Sequence, residues 1–386
     1  MNSMKDIIIF WMIATLAIYI PLNLYVFLKG NLALSLTGLW FRVYLVVFVL
    51  LALVFPASRI LRVVAPGEPA MITSWIGSFW LAVVFYLFLL GLVVDLFRFA
   101  NFIVPFIPAF IENNRIVIGR IAAAFVFASL TVTFVWGYIN AKNVRVRSIP
   151  LAIVSLGEVK NPLTVAYISD VHIGYEVGER HLADIVEKVN GADPDLILIG
   201  GDLLEEPPVL IEDMLDTLSL LNAPYGVYAT AGNHEFYTGL SAGRDFMNRA
   251  GIRLLIDEVK TIEGLLNVAG LVDPSGNRAG LGSRDAFRRM MEERDETLPT
   301  VLLYHSPVRI EEIAASGAVD LMLSGHTHNG QFFPVNMITN RMFRVAYGRA
   351  EVDGMHLYVS SGAGTWGPPI RVGSESEVVI FTLTAR

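Results

Sequence analysis

The hydrophobic pattern divides the chain near residue 141. Before that point apolar residues run in long stretches free of charge, at 7–28, 43–58, 69–94 and 121–141. A helix needs about 20 mostly apolar residues to cross the hydrocarbon of a bilayer, so a transmembrane domain over 1–141 is expected, with four helices at about 7–28, 39–58, 70–94 and 117–139. The second span reaches full length only with Arg42 near its end, where a long side chain can carry its charge to the headgroups. Pro21 is tolerated in a helix surrounded by lipid. No small-residue cleavage site follows the first run, so it reads as a span and not as a removed signal peptide. Segment 97–111 is apolar and aromatic but broken by Pro105 and Pro108. It is too short to cross; it lies in the interface, re-enters the membrane, or packs as a loop on the helices.

Beyond a linker at 140–150 the pattern changes. Short apolar runs at 163–169, 195–200, 226–230, 301–305, 321–324, 356–360 and 378–384 read as strands. Amphipathic stretches at 179–190, 209–221, 284–294 and 308–315 read as helices, the last with Ser306 as N-cap and Pro307 at its first position. Alternating strand and helix predicts an α/β domain over 160–386, with 142–159 a linker and lead-in strand.

Composition sharpens the division. The chain is 54% hydrophobic and only 17% charged, against about 25% charged in an ordinary soluble domain. Residues 1–141 hold 8 Lys and Arg against 4 Asp and Glu, whereas residues 142–386 hold 21 against 32. No nucleic-acid partner is expected of that acidic part, since phosphate binding needs a basic face. With the N-terminus inside, the inner segments carry Lys5, Arg59, Arg62, Lys142, Arg145 and Arg147, and the outer ones Lys29, Arg98 and Arg115, with Arg42 and Arg120 at span ends. The excess favours a cytoplasmic C-terminal domain. There is no cysteine, hence neither a disulfide nor a thiolate metal site.

The candidate chemistry sits just after the expected strands, in five short polar words: Ser169-Asp170-Val171-His172, Gly200-Gly201-Asp202, Gly232-Asn233-His234-Glu235, Tyr304-His305-Ser306 and Gly325-His326-Thr327-His328. In open α/β sheets the crevice beyond the carboxyl ends of the strands is where ligands bind. Glycines before Asp202, Asn233 and His326 are expected to let the backbone turn where ligands converge. Imidazoles, carboxylates and one amide oxygen, without sulfur, suit Mn, Fe, Zn or similar divalent ions. Two cations about 4 Å apart need an anionic bridge, and Asp202 is the natural one. His181 and His356 fall in none of these words and read as surface or structural residues. Glu235 supports its neighbours or opens a helix. Trp366 and Arg371, in a late Gly/Pro-rich loop, line a cleft or pack.

In order, the five words resemble the calcineurin-like metallophosphoesterase pattern D-x-H, G-D, G-N-H-D/E, H and G-H-x-H. The similarity extends over residues 160–386 and is strongest to the membrane-linked, YkuE-like bacterial branch, through Gly325 to Gln331 and Ser361 to Arg371. Many members have Gly where Asn329 stands. The resemblance implies a four-layer αββα sandwich and two divalent metal ions. Asp170, His172, Asp202 and His328 would hold one ion; Asp202, Asn233, His305 and His326 would hold the other. His234 would be the catalytic group beside the leaving-group oxygen, and a metal-bridging hydroxide the nucleophile. The reading is an integral membrane hydrolase of a bacterial cell membrane, acting on a phosphate ester or pyrophosphate. Four spans exceed what tethering needs, which points to membrane lipids as partners and a lipid or lipid-linked substrate, lipid A precursors among them. The alternative is a transporter or metal- or phosphate-sensing membrane protein with a non-catalytic domain. Against it, the spans contain almost no ionisable residue at mid-membrane depth.

Overall fold

A computed structural model describes residues 4–153, 162–262, 264–279 and 281–385, with side chains from residue 17 onward except at 277–279. The end of the expected lead-in, from residue 154, lies outside them. The chain forms two units, Met1–Val135 and Trp136–Arg386.

The first unit is built from α1 (Met4–Leu34), α2 (Gly38–Val64), α3 (Glu68–Ile103), α4 (Ala109–Asn113) and α5 (Arg115–Lys142), whose last seven residues belong to the second unit. Four of these helices are long and apolar enough to cross a membrane. They are hydrophobic all round, with Leu50, Val63, Phe102 and Phe125 exposed, as suits a lipid solvent. Close approach uses small residues: Ser74 and Ser78 are buried, and a Cβ on Gly77 would meet the backbone of Phe55. The aromatic segment 97–111 is helical up to Ile103. Val104 is forced into an extended conformation by Pro105, as the residue before a proline usually is. The Asn101 carboxamide oxygen then accepts from Phe106 N (2.7 Å) and Ile107 N (2.6 Å), replacing the lost helical acceptors.

In chain order the second unit continues with β1 (Arg145–Ile153), β2 (Leu163–Ile168), α6 (Glu179–Asn190), β3 (Leu196–Ile199), α7 (Leu215–Leu218), β4 (Val227–Thr230), α8 (Asn233–Thr238), α9 (Leu240–Arg249), β5 (Ile252–Leu255), β6 (Glu258–Ile262) and β7 (Leu266–Leu271). It ends with α10 (Arg284–Glu293), β8 (Thr300–Tyr304), α11 (Ile310–Ala315), β9 (Leu321–Ser324), α12 (Val335–Met342), β10 (Gly348–Val352), β11 (Met355–Val359) and β12 (Glu377–Ala385). Among the described residues these strands make two six-stranded sheets, ordered β1-β12-β2-β3-β4-β5 and β10-β11-β9-β8-β7-β6. Strands β2 to β5 run parallel in one, and β7, β8, β9 and β11 in the other.

Alternation along the strands explains the layers. Val165 and Tyr167 of β2, with Leu196 and Leu198 of β3, pack against Val268, Val301, Leu303 and Leu323 of the other sheet. Their neighbours Ala166, Ile168, Ile197 and Ile199 face the other way, onto α6 and α9. Successive side chains of a strand point to opposite faces, so both faces are covered and the runs are apolar throughout. Helices α10 and α11 cover the far side of the second sheet. The result is a four-layer αββα sandwich.

Three local expectations change. The helix expected at 209–221 is two 3-10 turns followed by α7; Ile211, Met214 and Leu218 are buried, and the three-residue step between the first two suits the tighter turn. Helix α11 starts at Ile310 after Arg309 with φ 57°, because the Ser306 hydroxyl donates to Asp273 and caps nothing. The linker expected at 140–150 shortens to Asn143 and Val144, because α5 runs to Lys142 and β1, in the stretch read as linker and lead-in strand, begins at Arg145; β1 is an edge strand that tolerates Pro150 and ties Arg147 to Glu375 and Glu377 at 2.6 and 2.7 Å.

Candidate metal centre

Every candidate ligand follows a strand: Asp170 and His172 after β2, Asp202 after β3, Asn233 after β4, His305 after β8, and His326 and His328 after β9. Because these strands run parallel within each sheet, their carboxyl ends deliver the loops to one place. The backbone there is forced: Asp170, His172, Asp202, His326 and His328 have φ of 53°, 53°, 50°, 69° and 49°, a region that costs a non-glycine residue about 1–2 kcal/mol. Asn329 (φ 49°) shares it, in a region that asparagine enters more readily than most side chains. Of the three glycines expected to turn the chain, only Gly201 has a left-handed φ, 91°. Gly232 and Gly325 instead give room: a Cβ would collide with the Asp202 carboxylate at one and with Ser169 and Asp170 at the other.

The structure brings all seven candidate ligands and His234 together. His172 Nε2 lies 3.1 Å from His328 Nε2 and 4.0 Å from Asp170 Oδ1, and His328 Nε2 lies 3.3 Å from the same oxygen. Asp202, His305 and His326 form a second group that could hold an ion, with Asn233 Oδ1 3.0 Å from His326 Nδ1. Asp202 Oδ2 is 3.0 Å from His305 Nε2 and 3.9 Å from His172 Nε2, and so reaches both groups.

Electrostatics agree with a cation at this position. His305 Nδ1 is bonded to the Gly200 carbonyl at 2.8 Å, so this nitrogen carries the proton and Nε2 the lone pair. Yet Nε2 is buried without a hydrogen-bond partner and faces a carboxylate oxygen. A lone pair turned toward an anion in the interior needs a positive charge between them. Burial would lower the pKa of His305, but Asp202 and Asp170 outweigh it and hold the imidazole well above its usual range, so a proton on Nε2 supplies this positive charge where a metal ion does not. Burial, aided by His172, keeps His328 well below that range, in the neutral form a metal requires.

Sequence reasoning passed over Glu205. Its Oε2 lies 2.9 Å from His172 Nδ1 and 2.8 Å from His234 Nδ1, joining a candidate ligand to the candidate catalytic histidine. The signal was an acidic residue one turn beyond Asp202. Burial opposes ionisation of Glu205, but His234 and His172 hold its pKa well below the usual carboxylate value. In return, against the effect of burial, Glu205 and Asp202 raise His234 to about 9. Glu235 is fully buried and accepts the backbone N–H groups of Asp202, Leu203, Leu204 and Gly232, which fixes the loop carrying Asp202.

Arg371 does not line a cleft. It is fully buried and donates to the carbonyls of Ser361 (2.5 Å), Gly364 (2.7 Å), Gly362 (3.2 Å) and His328 (3.3 Å). Trp366 is exposed beside it. His181 is buried with Nε2 3.2 Å from the Ala363 carbonyl, and His356 opens β11; neither joins the cluster.

Comparison with known proteins gives this geometry a family. Residues 163–330 match the model of calcineurin-like phosphoesterases. A metallophosphoesterase of Campylobacter jejuni is 33% identical over 267 residues, which are 67% of this chain and 68% of that one. The metallophosphoesterase YkuE of Bacillus subtilis is 27% identical over 57% of this chain and 78% of its own. A Bos taurus protein named transmembrane protein with metallophosphoesterase domain is 29% identical over 66% of this chain and 61% of its own. The same strand-end histidines and carboxylates that the geometry gathers lie inside the matched region, and the chain belongs to the calcineurin-like phosphoesterase family as a metallophosphoesterase.

Proposed function

We propose that this protein is a membrane-anchored phosphoesterase that uses two divalent ions to hydrolyse a phosphate ester or pyrophosphate of a lipid or lipid-linked substrate, from the cytoplasmic face. The observation that carries the two-ion reading is Asp202 Oδ2 between His305 and His172, with His305 Nε2 left without a partner. Asp170, His172 and His328 would hold one ion and Asn233, His305 and His326 the other, with Asp202 in reach of both groups. Mn, Fe or Zn fits this set of nitrogen and oxygen donors. When bound, such ions neutralise phosphoryl charge and lower the pKa of water.

The remaining chemistry belongs to side chains of this chain. Glu205 fixes His234 through Nδ1 and raises its pKa, leaving Nε2 4.0 Å from Asp202 Oδ2. From there it can give a proton to the departing oxygen. The N–H of His234 donates to Asp202 Oδ1 at 2.8 Å, so acid and shared carboxylate are set by one backbone.

The test is a substrate screen on the detergent-purified full chain, stripped of metal and reloaded with Mn, against p-nitrophenyl phosphate, bis-p-nitrophenyl phosphate and a panel of phospholipids and lipid pyrophosphates. Hydrolysis lost on chelation and restored by metal is expected, with a lipid substrate preferred. No hydrolysis of any member after reloading would overturn the proposal.

A further inference from the structure

Helix α12 is an eight-residue helix that buries none of its side chains. Met337, Ile338 and Met342 are 56%, 55% and 71% exposed, and Phe333 just before them 52%. Positions 337, 338, 341 and 342 share one helical face, on which Arg341 is the exposed cation. Trp366, also exposed, is tied to the loop before this helix, its N–H donating to Gln331 Oε1 and its carbonyl accepting from Gln331 Nε2, both at 3.0 Å. An exposed apolar face with one basic residue, Arg341, set between Met337 and Ile338 marks an interaction surface.

Its place in the second unit says what covers it. Residues 136–142 are the end of a helix able to cross a membrane, and they carry Trp136, Tyr138 and Lys142, side chains typical of the membrane boundary. The Gly137 carbonyl accepts from Arg371 N at 2.9 Å, and Asn140 Nδ2 donates to the carbonyls of Arg371 (3.1 Å) and Ser374 (2.8 Å). The next residue, Val372, accepts from Phe333 N at 2.6 Å and donates to the Gln331 carbonyl at 2.9 Å. A single stretch of backbone, 371–374, therefore joins the end of the membrane helix to the residue that opens the apolar face. The opposite side of the helix adjoins the candidate metal centre: Asn336 packs on Gly330, and the Phe343 ring lies 6.1 Å from that of His326.

We propose that α12, with Phe333 and Trp366, is a membrane-docking face that lies in the headgroup region of the bilayer and presents lipid headgroups to the metal centre. A helix with an apolar side takes this position by burying its apolar side chains below the headgroups, while a long arginine side chain such as that of Arg341 carries its charge back up to them. The inference deepens the proposed function and rests on its reading of the chain as membrane-anchored, but its test does not depend on turnover.

The chain has no cysteine, so Ile338→Cys and, as a second position, Met342→Cys give full-length proteins with one reactive thiol each. Val209→Cys, at a residue 80% exposed in a 3-10 turn, is the control. Each is labelled with a fluorophore and reconstituted in vesicles of phosphatidylethanolamine and phosphatidylglycerol. Nitroxides attached to lipid about 5–10 Å below the phosphates should remove about half or more of the emission at 338 and 342, while aqueous iodide should not. The label at 209 should show the reverse. Labels at 338 and 342 that behave like the control would overturn the proposal. So would labels shielded from both quenchers, because a second copy or another protein then covers the face. Quenching in a protein that hydrolyses no phosphoester would remove the proposed function and leave the docking face standing; hydrolysis without quenching would do the opposite.

Discussion

Asp202 shows how much one residue is asked to do. It ends a fully buried strand, takes a left-handed φ of 50°, accepts from His234 N and directs Oδ2 to two histidines. Burial alone would raise its pKa, yet His305 and His234 hold it well below the usual carboxylate value, so it stays an anion. Asp202→Asn should therefore impair occupancy of both ions, whereas His172→Ala should chiefly weaken one. Metal counting on the purified variants decides this; two full equivalents retained by Asp202→Asn would remove the shared role. For His234 the expectation differs. His234→Asn should keep both ions but lower turnover by about 10² to 10⁴, with smaller losses for good leaving groups. Glu205→Gln should follow the same leaving-group trend with a smaller loss, and the double variant should be little worse than His234→Asn alone, since residues that act as a unit are not additive. Independent, multiplying losses would separate Glu205 from the histidine.

At the scale of elements, α6 offers a pH test away from the metal centre. Burial, with Lys142 nearby, lowers His181 from 6.5 to about 4. Above pH 6.5 the side chain is neutral in both states and the stability it permits is fully present. Between pH 6.5 and 4 only the unfolded chain takes up the proton, so stability falls with pH, by about 3 kcal/mol once both values are passed. The full-length protein should show a steeper loss of Tm from pH 7 to 4.5 than His181→Asn; parallel curves would refute the assignment. Helix α6 was legible to the residue because its buried positions recur at helical spacing. Strands β2, β3 and β9 were legible as uninterrupted apolar runs ending in a polar word. Strands β5, β6, β7 and β10 were not, for physical reasons. Strand β6, Glu-Val-Lys-Thr-Ile, is a half-buried edge, and β7 hides Asn267, whose side chain is satisfied by the Asp295 carbonyl and Thr261. Glu205 escaped notice because one acidic residue has no period; only its contacts with two histidines distant in sequence give it meaning.

For the whole molecule, the chain between the last candidate membrane helix and the first strand is short. Helix α5 ends at Lys142 and β1 begins at Arg145, leaving only Asn143 and Val144 between them. Two extended residues reach about 7 Å, so β1 begins close to the end of α5. Four spans put both termini on one side, and the excess of Lys and Arg on the segments sharing that side favours the cytoplasm. The prediction is that Val209→Cys, in the catalytic unit, is protected from a membrane-impermeant thiol reagent in intact cells and reacts after permeabilisation. Thr37→Cys, exposed between α1 and α2, should react without permeabilisation, and the cysteine-free parent supplies the blank. Labelling at 209 together with protection at 37 would invert the orientation and put the substrate in the outer leaflet. Labelling at both positions in intact cells would break the four-span count itself, since an even number of crossings must then separate the first loop from the catalytic unit, where α2, α3 and α5 would make three. Neither result would disturb the strand-end geometry around Asp202, which depends on the second unit alone.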